Sequence, residues 1–252
     1  MRVIDIFTPL CCGQRIGIFA GSGLGKSTLL AMLAESRDFD AIVIALVGER
    51  GREVREFLDD ALKTNRSKAV AVVATSDESP ATRRLAPKTA LTIAEHFRDQ
   101  GESVLLIVDS ITRFAHAARE VALAAGEFAV ARGYAPSVFS DIPKLLERAG
   151  TGEEGKGSIT GIFSVLVDGD DHNEPISDAV RSTLDGHIVL DREIRARPLS
   201  CCQRLAVDLA PGAFCMDRRA KHRGNQASQA YRSLRRYTGP APNGRLPGRK
   251  RS

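Results

Sequence analysis

A glycine-rich stretch, Gly21-Ser22-Gly23-Leu24-Gly25, runs straight into Lys26-Ser27-Thr28. These residue types at this spacing can hold a chain of phosphates. Glycines let successive main-chain N–H groups turn toward one anion, and a helix N-terminus adds partial positive charge. Lys26 is placed to neutralise β- and γ-phosphates, and the Ser27 hydroxyl to ligate Mg2+. Context supports the motif: an apolar run, Arg15-Ile16-Gly17-Ile18-Phe19, precedes it, and Leu29-Leu30-Ala31-Met32-Leu33 continues it as a helix. Ala20 stands where G-x-x-x-x-G-K-[ST] has its first glycine, but glycines 21, 23 and 25 keep the turn permissive. The bland alternative is a Gly-rich turn that happens to precede Lys-Ser. The implied ligand is a nucleoside triphosphate.

Two carboxylates complete the candidate chemistry. Asp109 closes Leu105-Leu106-Ile107-Val108-Asp109, a buried strand lifting one acid to the sheet edge, where it can hold the Mg2+ shell. Its plain alternative is a helix cap at Ser110-Ile111-Thr112. Glu49 follows Ile42–Val47 in a Gly-Glu-Arg-Gly turn and can orient and polarise an attacking water, positioning being most of what phosphoryl transfer needs. Arg50 and Arg113 can stabilise phosphoryl charge or Glu49 itself. The alternative for each is a surface ion pair, for example with Glu53 or Glu120.

These residues must be set on a framework, and the chain supplies one. Strands are expected at 15–19, 40–47, 69–74, 103–109, 158–167 and 187–190. Helices are expected after the glycine-rich loop and at 55–63, 82–100, 111–125, 142–148 and 176–184. Such alternation predicts an α/β fold with a mostly parallel sheet and helices on both faces. Ligands of such sheets bind at the strands' C-terminal ends, where Glu49, Asp77 and Asp109 fall. From Arg195 onward no strand-type apolar stretch or helical stripe is expected. Residues 1–194 therefore read as one core, and 195–252 as a basic, disordered tail.

Composition narrows the function class. Of 252 residues, 43% are hydrophobic, enough for a core, and no apolar run reaches membrane-span length. No secretory leader is expected at Met1-Arg2-Val3-Ile4. The cysteines fall as Cys11-Cys12, Cys201-Cys202 and Cys215, which reads as reduced thiols in a cytoplasmic protein. The histidines have no ligand spacing, and Asp168, Asp170 and Asp171 lack the rest of a calcium loop. The net charge of +5 is uneven: residues 195–252 carry twelve arginines and two lysines against Asp208 and Asp217. A nucleic-acid arm would look like this, but aromatic residues there are few, and no specific nucleic-acid partner is expected.

Taken together, Gly48-Glu49-Arg50-Gly51-Arg52-Glu53-Val54-Arg55-Glu56-Phe57, Asp109-Ser110-Ile111-Thr112-Arg113-Phe114-Ala115, Arg132-Gly133-Tyr134-Ala135-Pro136-Ser137-Val138-Phe139 and Leu184-Asp185-Gly186-His187-Ile188-Val189-Leu190 resemble the flagellum-specific and type III secretion ATPases. These are relatives of the catalytic subunit of rotary ATP synthases. The resemblance runs over about 2–194 and favours the flagellar branch over the injectisome branch. It implies a RecA-like P-loop NTPase core, ATP and Mg2+ as ligands, and a homo-hexameric ring hydrolysing ATP at subunit interfaces to drive protein export. Implied partners are the flagellar export apparatus and its substrates, with peripheral association at the inner membrane. Carried over, Lys26 and Ser27 contact phosphates and metal, Glu49 is the catalytic carboxylate with Arg50 beside it, Asp109 is the Walker-B acid, and Arg113 lies near the phosphates.

Two departures stand against that match. The family has an N-terminal β-barrel, whereas this chain begins just before the P-loop strand. After Leu190-Asp191-Arg192-Glu193 the family continues with a Tyr-Pro segment that holds adenine and a Ser-Arg motif that supplies an interfacial arginine finger. Here the chain reads Arg195-Ala196-Arg197-Pro198-Leu199-Ser200-Cys201-Cys202, as expected of a frameshifted translation. Arg204, Arg218 and Arg219 are the nearest substitutes for a finger.

Overall fold

The fold is that of a computed structural model, which describes residues 10–167, 174–190 and 206–209. All of them belong to one compact unit, Met1–Phe214. The expected disorder of the basic tail, the frameshift, Asp168, Asp170, Asp171 and the substitute arginines lie outside the described residues.

Among the described residues, eight strands form one sheet. They are β1 (Arg15–Ala20), β2 (Ala41–Val47), β3 (Ala69–Ala74), β4 (Ser103–Asp109), β5 (Gly150–Thr151), β6 (Ser158–Leu166), β7 (Gly186–Leu190) and β8 (Ala206–Leu209). The order is β3-β2-β4-β6-β1-β7-β8, and β5 pairs with β6. Pairing is parallel from β3 to β7 and antiparallel only for β5 and β8. The C-terminal ends of β1, β2, β3 and β4 therefore share one edge.

The helices are α1 (Lys26–Ala34), α2 (Gly51–Ala61), α3 (Pro80–Asp99), α4 (Ile111–Ala124), α5 (Pro136–Leu146) and α6 (Pro175–Arg181). Alternation along the buried strands sends successive side chains to opposite faces. Val43, Ala45, Leu106, Val108 and Phe163 form one core with residues of α3, α4 and α5. Ile42, Ile44, Leu105, Ile107 and Ile162 form the other with Leu30 of α1 and Val54 and Phe57 of α2. Helices thus cover both faces, as expected. Phe19, Phe114 and Phe163 are fully buried, and burial of such a side chain stabilises the fold by about 2 kcal/mol.

Helix starts follow local chemistry. Ser79 accepts the Thr82 N–H at 3.2 Å ahead of α3, with Pro80 in the first turn, and Ser110 accepts the Arg113 N–H at 3.3 Å ahead of α4. The expected elements recur with shifted ends. α2 begins at Gly51 rather than Arg55, because Gly51, Arg52 and Glu53 join its first turn. α5 begins at Pro136 rather than Ile142, since proline is well suited to a first turn.

One expectation is corrected. A strand does lie beyond Arg195: β8 pairs antiparallel with β7, with Gly186 opposite Leu209 and Val189 opposite Ala206. Without β8, the outer side of β7 would present unpaired main-chain groups, and a four-residue segment is enough to occupy them.

Candidate phosphate-binding and active site

The glycine-rich loop leaves β1 at Ala20 and enters α1 at Lys26. Gly23 and Gly25 have φ of +77° and +91°, and a Cβ at either would meet nothing within 4 Å. Backbone conformation, rather than crowding, calls for glycine there. Gly25 caps α1 without a side-chain hydrogen bond, and the first turn holds no acid. The α1 N-terminus is accordingly a place for an anion supplied from outside. Ser22, Gly23 and Gly25 are exposed, whereas Gly21 is buried at the strand end.

Lys26 reaches back over the sheet edge. Its Nζ donates to Asp109 Oδ1 at 2.5 Å and lies 3.7 Å from Glu49 Oε1. Asp109 is 3% exposed, and its peptide bond to Ser110 is cis. Ser110, not Asp109, caps α4, so the helix-cap alternative for Asp109 does not hold. Ser164 Oγ donates to the same Asp109 Oδ1 at 2.6 Å. This bond follows from register: Val108 sits opposite Phe163, and the next step brings Asp109 and Ser164 together on the face covered by α1 and α2.

Glu49 occupies an unusual position. Its Oε1 is buried and accepts no hydrogen bond. Burial pushes the carboxyl above its ordinary value; the Lys26 charge opposes that shift, the Asp109 charge adds to it, Arg113 opposes it, and a hydrogen bond with Glu53 adds to it. Gly48, at φ +69°, lets the chain turn so that this carboxyl faces Lys26. Arg113 has a buried Nε without a hydrogen-bond partner, and it pairs with neither Glu53 nor Glu120; Glu120 pairs instead with Arg83 at 3.3 Å. Arg50 differs. Its side chain is 83% exposed and lies 3.9 Å from Glu53, which is the surface-pair alternative. Asp77 is exposed in the turn after β3, its carboxyl held below the ordinary value by the Thr75 hydroxyl.

The structure therefore gathers Lys26, Glu49, Asp109 and Arg113 and leaves Arg50 and Asp77 at the surface. A cleft of about 450 Å³ between α1 and α2 is lined by Ser27, Thr28, Glu49, Glu53, Phe57 and Asp109, among others. Ser27 and Asp109 bring hard oxygen donors to it, the donor type that Mg2+ takes. Among the described residues no group of three or more His, Cys, Asp or Glu could hold a metal alone. Together with the orphaned Glu49 Oε1 and the uncapped α1, these donors fit a magnesium–nucleotide ligand. Sequence reasoning missed Ser164 and named Glu53 only as an ion-pair partner, not as a neighbour of Glu49; the only signal for Ser164 was a hydroxyl within the apolar run Ile162-Phe163-Ser164-Val165.

Known proteins resemble this chain over most of its length. The chain is 66% identical over 213 residues to the flagellum-specific ATP synthase of Agrobacterium fabrum, covering 82% of this chain and 45% of that one. A solved prototypical ATPase from the type III secretion system of pathogenic bacteria superposes with a TM-score of 0.75 at 55% identity, over 82% of this chain and 58% of that one. The assembled ATPase EscN of the enteropathogenic E. coli type III secretion system gives 0.74 at 46% identity, over 97% and 61%. This chain spans about half the length of the curated relatives it matches. The profile of the ATP synthase alpha/beta family, nucleotide-binding domain, matches residues 1–200. With the phosphate loop, Lys26, Glu49 and Asp109 placed as they are, this chain belongs to the ATP synthase alpha/beta family through that nucleotide-binding domain.

Proposed function

We propose that this chain hydrolyses ATP, with Mg2+, to energise protein export by a flagellar type III secretion apparatus. The observation that carries the reading is the convergence of Lys26 on both Asp109 and Glu49 at the mouth of the phosphate loop. In this reading Gly21, Ser22, Gly23, Leu24, Gly25 and Thr28 surround the phosphates with main-chain amides. Lys26 moves its ammonium from Asp109 to the phosphate oxygens, and Ser27 and Asp109 would hold the metal. Bound Mg2+ supplies charge neutralisation at the phosphates. Glu49 orients the attacking water and takes its proton, a role suited to a desolvated carboxyl whose pKa is raised. Arg113, half-buried with its Nε enclosed near Glu49, stabilises charge near the phosphates.

The chain works, on this reading, in a homo-hexameric ring at the cytoplasmic face of the inner membrane, with the export apparatus and export substrates as partners. Arg50, exposed in the single chain, then has a neighbouring subunit to face. An injectisome role is the second reading, supported by the likeness to ATPases of type III secretion systems.

Steady-state ATP hydrolysis by purified protein, against Lys26→Ala, tests the proposal. Mg2+-dependent turnover that Lys26→Ala abolishes is expected. Nucleotide binding with no Lys26-dependent turnover would instead make this a nucleotide-binding core without hydrolysis.

A further inference from the structure

We propose that Ser164 is a positioning residue for Asp109: its hydroxyl fixes Oδ1 of that carboxylate and leaves Oδ2 for the metal side of a bound nucleotide. This rests on reading the site as a magnesium–nucleotide site. Both hydrogen bonds to Asp109 land on Oδ1, from Lys26 and from Ser164. Among the described residues Oδ2 receives none, and Asp109 lines the cleft.

The two donors are not equivalent. Lys26 carries a mobile ammonium that also lies 3.7 Å from Glu49 and has to serve the phosphates. Ser164 is fully buried in β6, and β6 is fastened at this point. The Thr112 hydroxyl accepts the Leu166 N–H at 2.9 Å and donates to the Leu166 carbonyl at 3.2 Å. The end of β6 and the start of α4, one residue beyond Asp109, thus form one frame. When Lys26 leaves Asp109 for a phosphate, Ser164 stays as the donor that keeps the carboxylate from turning. Supporting partners of this kind typically change metal affinity by about 10- to 100-fold.

The test titrates Mg2+ against binding of a fluorescent ATP analogue to the full chain, with a parallel measurement in EDTA. Ser164→Ala is expected to raise the Mg2+ concentration for half-maximal tightening about tenfold, leaving binding in EDTA unchanged. Ser164→Thr, which keeps the hydroxyl, is expected to restore the wild-type midpoint. If Ser164→Ala fails to fold by circular dichroism, Ser164→Cys, a weaker donor of similar size, carries the same expectation. A wild-type midpoint in the folded variant, or equal weakening with and without Mg2+, would overturn the role of Ser164 while leaving the site intact. Wild-type protein that binds the analogue equally well with and without Mg2+ would overturn the reading of the site itself.

Discussion

Gly48 and Arg113 are fitted to each other: a Cβ on Gly48 would stand 3.1, 3.2 and 3.3 Å from Cβ, Cγ and Cδ of Arg113. Gly48 also holds φ at +69°, a conformation that costs an L-residue about 1 kcal/mol. Gly48→Ala should lower stability by about that amount in urea unfolding and push Arg113 outward. A displacement of this kind next to Glu49 should cost turnover about tenfold. Gly51→Ala is the control, since a Cβ there meets nothing within 4 Å; its stability should be unchanged or slightly raised.

Lys26→Ala should act on folding as well as on binding. Asp109 is buried against Lys26, and removing one partner of a buried ion pair costs about 3 kcal/mol. Urea unfolding should show that loss at neutral pH. Nucleotide affinity should fall about 100-fold or more, as when one side of a buried charge pair is truncated. A variant of full stability would mean that the Lys26–Asp109 contact contributes nothing to folding.

Glu49→Gln should separate binding from chemistry. Turnover should fall about a thousandfold, with nucleotide affinity within a few-fold of wild type. The raised carboxyl means that the folded chain binds this proton more tightly than the unfolded chain does. Its contribution to stability is complete below the ordinary glutamate value of 4.5 and is lost as pH rises through the raised value. Glu49→Gln should therefore be more stable than wild type at neutral pH, and the gap should close on acidification below 4.5. For the same reason the acidic limb of wild-type turnover should lie above the usual carboxylate range.

Arg148 clasps α3 away from the site. It bonds Glu95 through Nε at 2.8 Å and Nη2 at 2.7 Å, and it reaches Thr92 Oγ1 at 2.9 Å. Arg148→Ala should destabilise by about 1 kcal/mol, because the pair is bidentate though partly solvated. ATP affinity should not move. Arg148→Lys should recover little, since an ammonium cannot reproduce the fork.

The phosphate loop, the alternation of strands and helices, and the acids at the strand ends were legible because each is written in contiguous residues. Strand order was not. Nothing local says that β6 lies between β1 and β4, and that insertion is what brings Ser164 to Asp109. The fates of the two arginines were equally hidden: Arg113 turns inward against Gly48 while Arg50 faces solvent, a difference set by helix orientation rather than by residue type. β8 escaped notice because four residues in an arginine-rich stretch form a strand only when an open edge is offered.

The peptide groups around Glu49 carry a mechanical consequence. Gly48 N–H donates to the Ala74 carbonyl at 2.7 Å, and the Glu49 carbonyl accepts the Ser76 N–H at 3.0 Å. The Glu49 carboxylate is thereby coupled in series to β3, the outermost strand on that flank of the sheet. A load applied to this rim is transmitted to Glu49 through two short main-chain links, with no side chain in between to absorb it.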